Sequence, residues 1–388
     1  MKIAYLCDIS PEHSQPYSGG NARIYRALQD HVGEVDILPR AWGAAEPLRR
    51  VIYALPDGVN LRLRWRLHLL LARIISRSVT EALAAKHYDV VFGAYSFQSM
   101  AQLKTPYPML KAFTSDASFT VYKRSEIGAS FGSSWVSRRL LDPLTLRAER
   151  NIYRKLDLAL WPSDWLKDEA DPLYGLSENQ SVVVPWGANI DTPKAETKPL
   201  RLTQETPVNL LVVGRDWVSK GGPIAFETLA KLREQGVDVR LTVIGTTPPD
   251  CHLNRYVTVH PTLDKTVPRE RALFEAAFRQ AHFLVQPSFE SWGFAFCEAA
   301  AYSLPSLCLA VGGVPVQDGI TGHNLPPGAG AAEFADIIST YLKDPERYAA
   351  LRRSARADFE ENLNWDAWGR KVHDLFDARL TSGELSDQ

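Results

Sequence analysis

The residues with the clearest chemical potential are two carboxylates eight positions apart, Glu290 and Glu298. They follow the apolar run Phe283–Gln286 and flank Ser291-Trp292-Gly293-Phe294-Ala295-Phe296-Cys297. If a helix starts near Trp292, Glu298 lies about two turns, roughly 12 Å, beyond Glu290. Glu290 then sits at the helix mouth, where the backbone dipole favours anions. Glu298 falls in an apolar run with Ala299-Ala300-Ala301 beside it. A carboxylate is costly to bury there unless it is hydrogen-bonded. Ligand hydroxyls could supply those bonds, and so could backbone groups or a nearby Arg.

Two cations have a similar setting. In Val212-Val213-Gly214-Arg215-Asp216-Trp217-Val218-Ser219-Lys220-Gly221-Gly222 an apolar run ends in Gly214, and Arg215 and Lys220 lie five residues apart. Arg offers a planar fork to phosphate oxygens and Lys a compact point charge. The alternative is a pair of ordinary surface cations. A third segment, Tyr17-Ser18-Gly19-Gly20-Asn21, follows the first apolar run. Paired glycines let backbone N–H groups approach an anion at a helix N-terminus, although a plain loop reads the same way. No G-x-G-x-x-G and no G-x-x-x-x-G-K-[ST] phosphate loop occurs, so Asp168-Glu169-Ala170-Asp171 reads as a solvated helix face.

Elements that could hold these loops alternate along the chain. Short β-rich runs such as Lys2–Cys7, Val90–Gly93, Met109–Phe113, Asn209–Val213 and Ser306–Leu309 are separated by helix-length stretches. Such alternation predicts parallel sheets covered on both faces, and continuous apolar strands agree. The pattern resets once. A polar, Pro-containing stretch after Val182-Val183-Val184-Pro185 places a linker near residues 186–206. The expected architecture is α/β, with two doubly wound Rossmann-like domains facing a cleft at the carboxyl ends of their strands.

Composition sets bounds on this reading. A chain of 388 residues suits two to three domains. Its 44 Lys+Arg against 45 Asp+Glu argue against a general nucleic-acid binder. Residues 1–190 carry 23 basic and 19 acidic side chains, and residues 191–388 carry 21 and 26. The first half is therefore the one suited to an anionic partner. Cys7, Cys251, Cys297 and Cys308 form no metal-binding spacing and read as small apolar side chains in a reducing compartment. The first apolar run is too short for a signal peptide, and the longest uncharged run, Ala299–Gln317, is broken by Pro305, Gly312-Gly313 and Pro315. A cytoplasmic protein is expected.

Taken together these motifs carry a resemblance. Glu290 and Glu298 match the E-x7-E signature of the retaining glycosyltransferases of family 4, and Gly214-Arg215…Lys220-Gly221 matches that family's G-R-x4-K-G. Ser18-Gly19-Gly20 is similar to its N-terminal Gly-Gly loop. Pro185-Trp186-Gly187-Ala188-Asn189 resembles its domain-linking segment, and Gly312-Gly313-Val314-Pro315 its late Gly-Gly turn. The resemblance implies the GT-B fold. The expected domains are an acceptor-side domain over 1–187, a nucleotide-sugar domain over 188–365 and a helix over 366–380 crossing back to the first.

It further implies a hexosyltransferase that takes a nucleotide-diphospho-sugar, with a UDP-sugar favoured, and retains the anomeric configuration. Arg215 and Lys220 would neutralise the departing diphosphate, Gly214 would shape their loop, and Gly19 and Gly20 would close on the diphosphate from the other domain. Glu298 would bind the ribose hydroxyls, and Glu290 with Gly293, Phe294 and Ala295 would orient the sugar. Glycosyl transfer passes through an oxocarbenium-like state while charge grows on the leaving phosphate, and preorganised cations stabilise that charge without a metal. No D-x-D signature occurs, and no cofactor is expected. Three positions depart from the family pattern. Thr114-Ser115-Asp116 puts Asp116 where many members carry a catalytic His, Asn189 replaces the linker Asp, and Val316-Gln317 lacks the usual acid.

The acceptor side is marked by charge. Arg62, Arg66, Arg73 and Arg77 share a stripe about 60° wide on a helix turning about 100° per residue. Residues 49–77 hold seven Arg against the single Asp57. Such a face can lie on an anionic membrane or receive a phosphate-bearing lipid, or be the exposed edge of a core helix. A hydroxyl acceptor is expected, either lipid or lipid-linked in glycolipid or envelope polysaccharide synthesis, or soluble, with peripheral attachment to the inner membrane face in the first case. Trp365 and Trp368 suit packing of the last helix. A GT-B epimerase or phosphorylase and a nucleotide-sugar-binding protein without turnover are the competing classes.

Overall fold

The computed structural model describes the chain apart from residues 13–15, 39–45, 55–68, 96, 132–138, 140, 195–199, 204 and 384–388. The chain divides into two compact units. The first comprises Met1–Trp186 with Trp365–Gln388, and the second Gly187–Asn364.

The first unit is built on a parallel sheet of order β2-β1-β3-β4-β5-β6. Its strands are β1 (Lys2–Leu6), β2 (Glu34–Ile37), β3 (Val90–Ala94), β4 (Leu110–Thr114), β5 (Leu158–Trp161) and β6 (Ser181–Val183). Ile3 pairs with Val90, Val90 with Leu110, and Ala112 with Leu158. All of β3 and β5 is buried, as continuous apolar strands covered on both faces must be. Helix α1 (Gly20–His31) is fixed to β1 by a polar bolt. The Tyr5 hydroxyl donates to Asn21 Oδ1 at 2.6 Å, and Asn21 Nδ2 donates to the Ile9 carbonyl at 2.8 Å. Helices α2 (Glu46–Tyr53), α3 (Ala72–Ala85), α4 (Phe119–Arg124), α5 (Asp142–Tyr153) and α6 (Asp164–Tyr174) follow.

The second unit repeats the design. Its sheet runs β12-β11-β10-β7-β8-β9, again all parallel. The strands are β7 (Val208–Val213), β8 (Val239–Ile244), β9 (Val257–His260), β10 (Phe283–Val285), β11 (Ser306–Leu309) and β12 (Gly322–Leu325). Helices α7 (Gly222–Glu234), α8 (Pro268–Gln280), α9 (Phe294–Ala301), α10 (Ala331–Lys343) and α11 (Pro345–Glu361) cover it. Leu211, Ile244, Phe278, Leu284, Phe296 and Cys308 share its core.

The last helix, α12 (Trp365–Ser382), belongs to the first unit. Trp368 is buried and meets Phe92 edge-on at 6.2 Å, and Phe376 meets the same ring. Lys371 Nζ donates to the Val183 carbonyl at 2.8 Å, and His31 Nε2 lies 2.9 Å from Asp366 Oδ1. The paired tryptophans thus pack: Trp365 sits against Trp368 and Trp186.

Strand order locates the places where ligands can enter. In each sheet the order reverses beside the first strand of the unit, between β1 and β3 and between β7 and β10. Crossovers leave these strands on opposite faces there, which opens a crevice at their carboxyl ends.

One titratable group ties β10 to β7. His282, almost fully buried, accepts the Asn209 N–H at Nδ1 (3.0 Å), and its Nε2 lies 3.1 Å from the Arg201 carbonyl. Acceptance at Nδ1 needs the neutral imidazole, and burial pushes its pKa down to about 4 although donation to the Arg201 carbonyl works the other way. The stabilisation is complete above the unfolded value of about 6.5 and is lost as pH falls through about 4. By linkage it amounts to about 3 kcal/mol. Denaturant midpoints of the whole chain between pH 7.5 and 4 should fall more steeply in the wild type than in His282→Gln.

Candidate functional site

The reversal between β7 and β10 brings two of the candidate residues together. Lys220, at the end of the loop after β7, forms an ion pair with Glu290, from the loop after β10. Ser288 Oγ donates to the same carboxylate oxygen at 3.0 Å. Glu290 also joins the late glycine turn: the Gly313 N–H donates to its carbonyl at 3.1 Å, and Glu290 forms a bridge with Gly312.

The Gly214–Lys220 loop has little freedom. Asp216 Oδ1 accepts the Ser219 N–H at 2.6 Å, and that bond holds the Asp216 carboxyl below its ordinary pKa. Trp217 folds beneath the loop and donates from Nε1 to His252 Nδ1 at 3.1 Å, while the His252 ring stacks on Phe226. Lys220 Cγ would lie 2.3 Å from a Cβ on Gly214, so a side chain there would displace Lys220. At Gly221, φ is +72° and a Cβ would meet the Pro287 carbonyl at 2.4 Å. The two loops therefore touch backbone to backbone, which lets a short lysine–glutamate reach close. Arg215 is exposed on the same loop.

Helix α9 starts at Phe294 instead of near Trp292, because Gly293 takes φ 97° and caps it. Gly293 caps the helix and Phe294 and Ala295 open its first turn. Glu298 is buried one turn further on. Its partner is neither backbone nor Arg. Lys265 Nζ donates to Glu298 Oε1 at 2.8 Å from the loop after β9. Lys265 also lies 3.4 Å from the Asn189 carbonyl and 4.7 Å from the Phe274 ring centre. Nothing in the sequence singled out Lys265. The only signal was its place after a strand, shared with many surface lysines.

The first unit holds its candidates at the carboxyl ends of β1 and β4. Gly19, at φ 89°, and Gly20 begin α1 without a side-chain cap, and Ser18 also has positive φ, 54°. Asp116 is half-buried after β4, and its charge adds to burial in pushing the Tyr95 hydroxyl well above its ordinary value. The segment behind Asp116 is held by a residue the sequence reading missed. Glu149, fully buried on α5, accepts the Thr120 N–H at 3.2 Å and the Thr120 hydroxyl. Burial pushes its carboxyl up to about 7 despite these donors.

Of the arginine stripe, Arg62 and Arg66 lie outside the described residues, as does the side chain of Arg73. Arg77 is exposed on α3 and pairs with Glu81 one turn on, at 3.1 Å. Among the described residues no group of three or more His, Cys, Asp or Glu is arranged to hold a metal, and no helix is long and apolar enough to cross a membrane.

Comparison with known proteins places this geometry in a class. The fold is that of a sucrose-phosphate synthase from Thermosynechococcus elongatus (TM-score 0.67, 19% identity, 98% of this chain and 99% of that one). It is likewise that of HepE from Anabaena, solved with UDP and glucose (TM-score 0.62, 14% identity, 97% of this chain and all of that one). Two Rossmann-like domains of this kind define the GT-B architecture, and the chain is a transferase enzyme of the glycosyltransferase class. Residues 207–344 match the family described as glycosyl transferases group 1. A D-inositol 3-phosphate glycosyltransferase from Corynebacterium aurimucosum is 28% identical over 298 residues, 65% of this chain and 70% of the relative. Alignments to two further relatives of that name span 55% and 57% of their lengths.

A methyl group at Gly214 should overpack the loop. Gly214→Ala is expected to lose about 1–3 kcal/mol in denaturant titration. Gly328→Ala, whose Cβ would meet nothing within 4 Å, should be silent.

Proposed function

We propose that the chain transfers a hexose-type sugar from a nucleotide-diphospho-sugar, a UDP-sugar in first place, to an acceptor hydroxyl, with retention and without a metal. The observation that carries this reading is the Lys220–Glu290 ion pair at the strand-order reversal of the second unit, with Arg215 on the same loop. Departure of a nucleoside diphosphate leaves growing negative charge on phosphate oxygen, and fixed cations lower the energy of that state because they need not reorganise. Glu290, itself bonded by the Ser288 hydroxyl, orients the Lys220 ammonium, which retains further N–H donors for phosphate. The helix N-terminus at Gly293, Phe294 and Ala295 suits the sugar or the diphosphate. Glu298 accepts from ribose hydroxyls. Gly19 and Gly20 offer backbone N–H groups to an anion, and Asp116 takes the role of an acceptor- or sugar-facing carboxylate. UDP bound to HepE, a protein of the same fold, supports uridine as the base.

For the acceptor, the run of arginines from Arg49 to Arg77 favours a lipid or lipid-linked molecule on an anionic membrane face. The relatives named for D-inositol 3-phosphate favour a second reading, a soluble acceptor that carries phosphate. Both readings use the same cations.

A thermal-shift panel of nucleoside diphosphates and nucleotide sugars should raise the melting midpoint with uridine compounds most, since ligand bound to the native state stabilises it. Lys220→Ala and Glu290→Ala should each lower transfer at least about 100-fold while far-UV circular dichroism stays native. Full activity in both would remove the site assignment. Sedimentation with vesicles containing anionic lipid should capture the wild type more than Arg62→Glu/Arg66→Glu. Equal capture by neutral vesicles, or by the variant, would exclude the membrane reading.

A further inference from the structure

Glu298 presents a problem that the rest of the site does not solve. It is 5% exposed on a helix whose neighbours are Phe296, Cys297, Ala299 and Ala300. An unpaired carboxylate in such a place is strongly disfavoured. Lys265 meets it from another element, and the contact uses Oε1 alone; no other hydrogen bond to the Glu298 side chain occurs among the described residues. Oε2 thus keeps its acceptor capacity while the carboxylate as a whole is neutralised. Lys265 is itself held at three points, by Oε1, by the Asn189 carbonyl and by the face of Phe274. These contacts all fall on Nζ and set where the ammonium stands beside Oε1, although 41% of the Lys265 side chain is exposed.

We infer that Lys265 is the positioning residue that makes Glu298 a selective acceptor for the ribose hydroxyls of the donor nucleotide, an assignment that rests on the nucleotide-sugar reading above. The chemistry follows from the split carboxylate. A hydroxyl donating to an ionised oxygen makes a bond roughly twice as strong as one to a neutral acceptor. A nucleotide without those hydroxyls leaves the oxygen unmatched in an apolar setting, which is how a site built for a hydroxyl rejects the analogue lacking it. Without the lysine, nothing would hold the Glu298 carboxylate in this orientation, and the two nucleotides would bind alike. Arg215 and Lys220 lie on a different loop, so affinity for the diphosphate end should not change.

The test compares affinities of the full chain for UDP, 2′,3′-dideoxy-UDP and inorganic pyrophosphate by calorimetry. Wild type should prefer UDP over the dideoxy form by at least about tenfold. In Lys265→Met the preference should shrink to within about twofold with pyrophosphate unchanged, and Lys265→Arg should restore most of it. In a Glu298→Gln background Lys265→Met should change the ratio by less than about twofold, and this double variant carries no unpaired buried charge should the single one fail to fold. Discrimination retained in Lys265→Met, or additive effects in the double variant, would overturn the inference alone. A wild type that binds none of UDP, ADP and GDP would instead overturn the donor reading beneath it.

Discussion

The Lys220–Glu290 ion pair is the contact on which the organisation of the second unit turns. Its partners are seventy residues apart, and each sits in a loop that leaves a different strand. They meet only because β7 and β10 are neighbours across the point where strand order reverses. A register slip of one residue would turn each strand's side chains to the opposite face and move the loops with them. The buried pairings Leu210 with Phe283 and Leu211 with Leu284 therefore set the geometry of the charges above them. A partly buried ion pair adds little net stability, because desolvation offsets most of its attraction. Its value is directional: it fixes where a cation stands.

The same economy governs the loops. A cation that must neutralise a leaving group cannot ride on a mobile segment, since reordering would cost part of the stabilisation it supplies. The Gly214–Lys220 loop is accordingly tied down at Asp216, at Trp217 and by backbone contact with Pro287. The glycines are the steric complement of these ties. In the first unit Asn21 and Tyr5 play the corresponding part, holding the start of α1, where Gly19 and Gly20 present backbone N–H groups, against the first strand.

How far the sequence revealed this depended on the kind of residue. Alternating apolar runs and helical stretches made two doubly wound sheets legible, because parallel strands buried on both faces leave an unbroken hydrophobic signature. Glu290 and Lys220 were legible because they stand just after strands, beside glycines that mark the turns. Glu298 was recognisable as a carboxylate in apolar company, but its partner was not. Lys265 comes from a loop of ordinary composition, and side-chain pairing between elements leaves no periodic trace in the chain. Glu149 was missed for the same reason: it occupies a helix face that reads Arg147-Ala148-Glu149-Arg150, and only folding takes it to complete burial. The start of α9 moved by two residues because Gly293 stops the helix with a backbone conformation that Trp292 would resist.

The two buried carboxylates show how one side chain serves different ends. Glu149 is held by neutral donors, the Thr120 hydroxyl and N–H with the Tyr174 hydroxyl and the Phe119 N–H, and no ion pair reaches it among the described residues. Neutral donors only partly offset the cost of burying its charge, so its carboxyl is pushed up to about 7 and can bear a proton without losing its place. That suits a structural role, in which either state can hydrogen-bond the threonine. A carboxylate that must accept from a ligand hydroxyl has no such latitude, because protonation turns one of its acceptors into a donor. Glu298 is held instead by a lysine ammonium on one oxygen, which leaves the other to accept. The difference in partners, hydroxyl against ammonium, thus separates a carboxyl that supports the fold from one suited to reading a substrate.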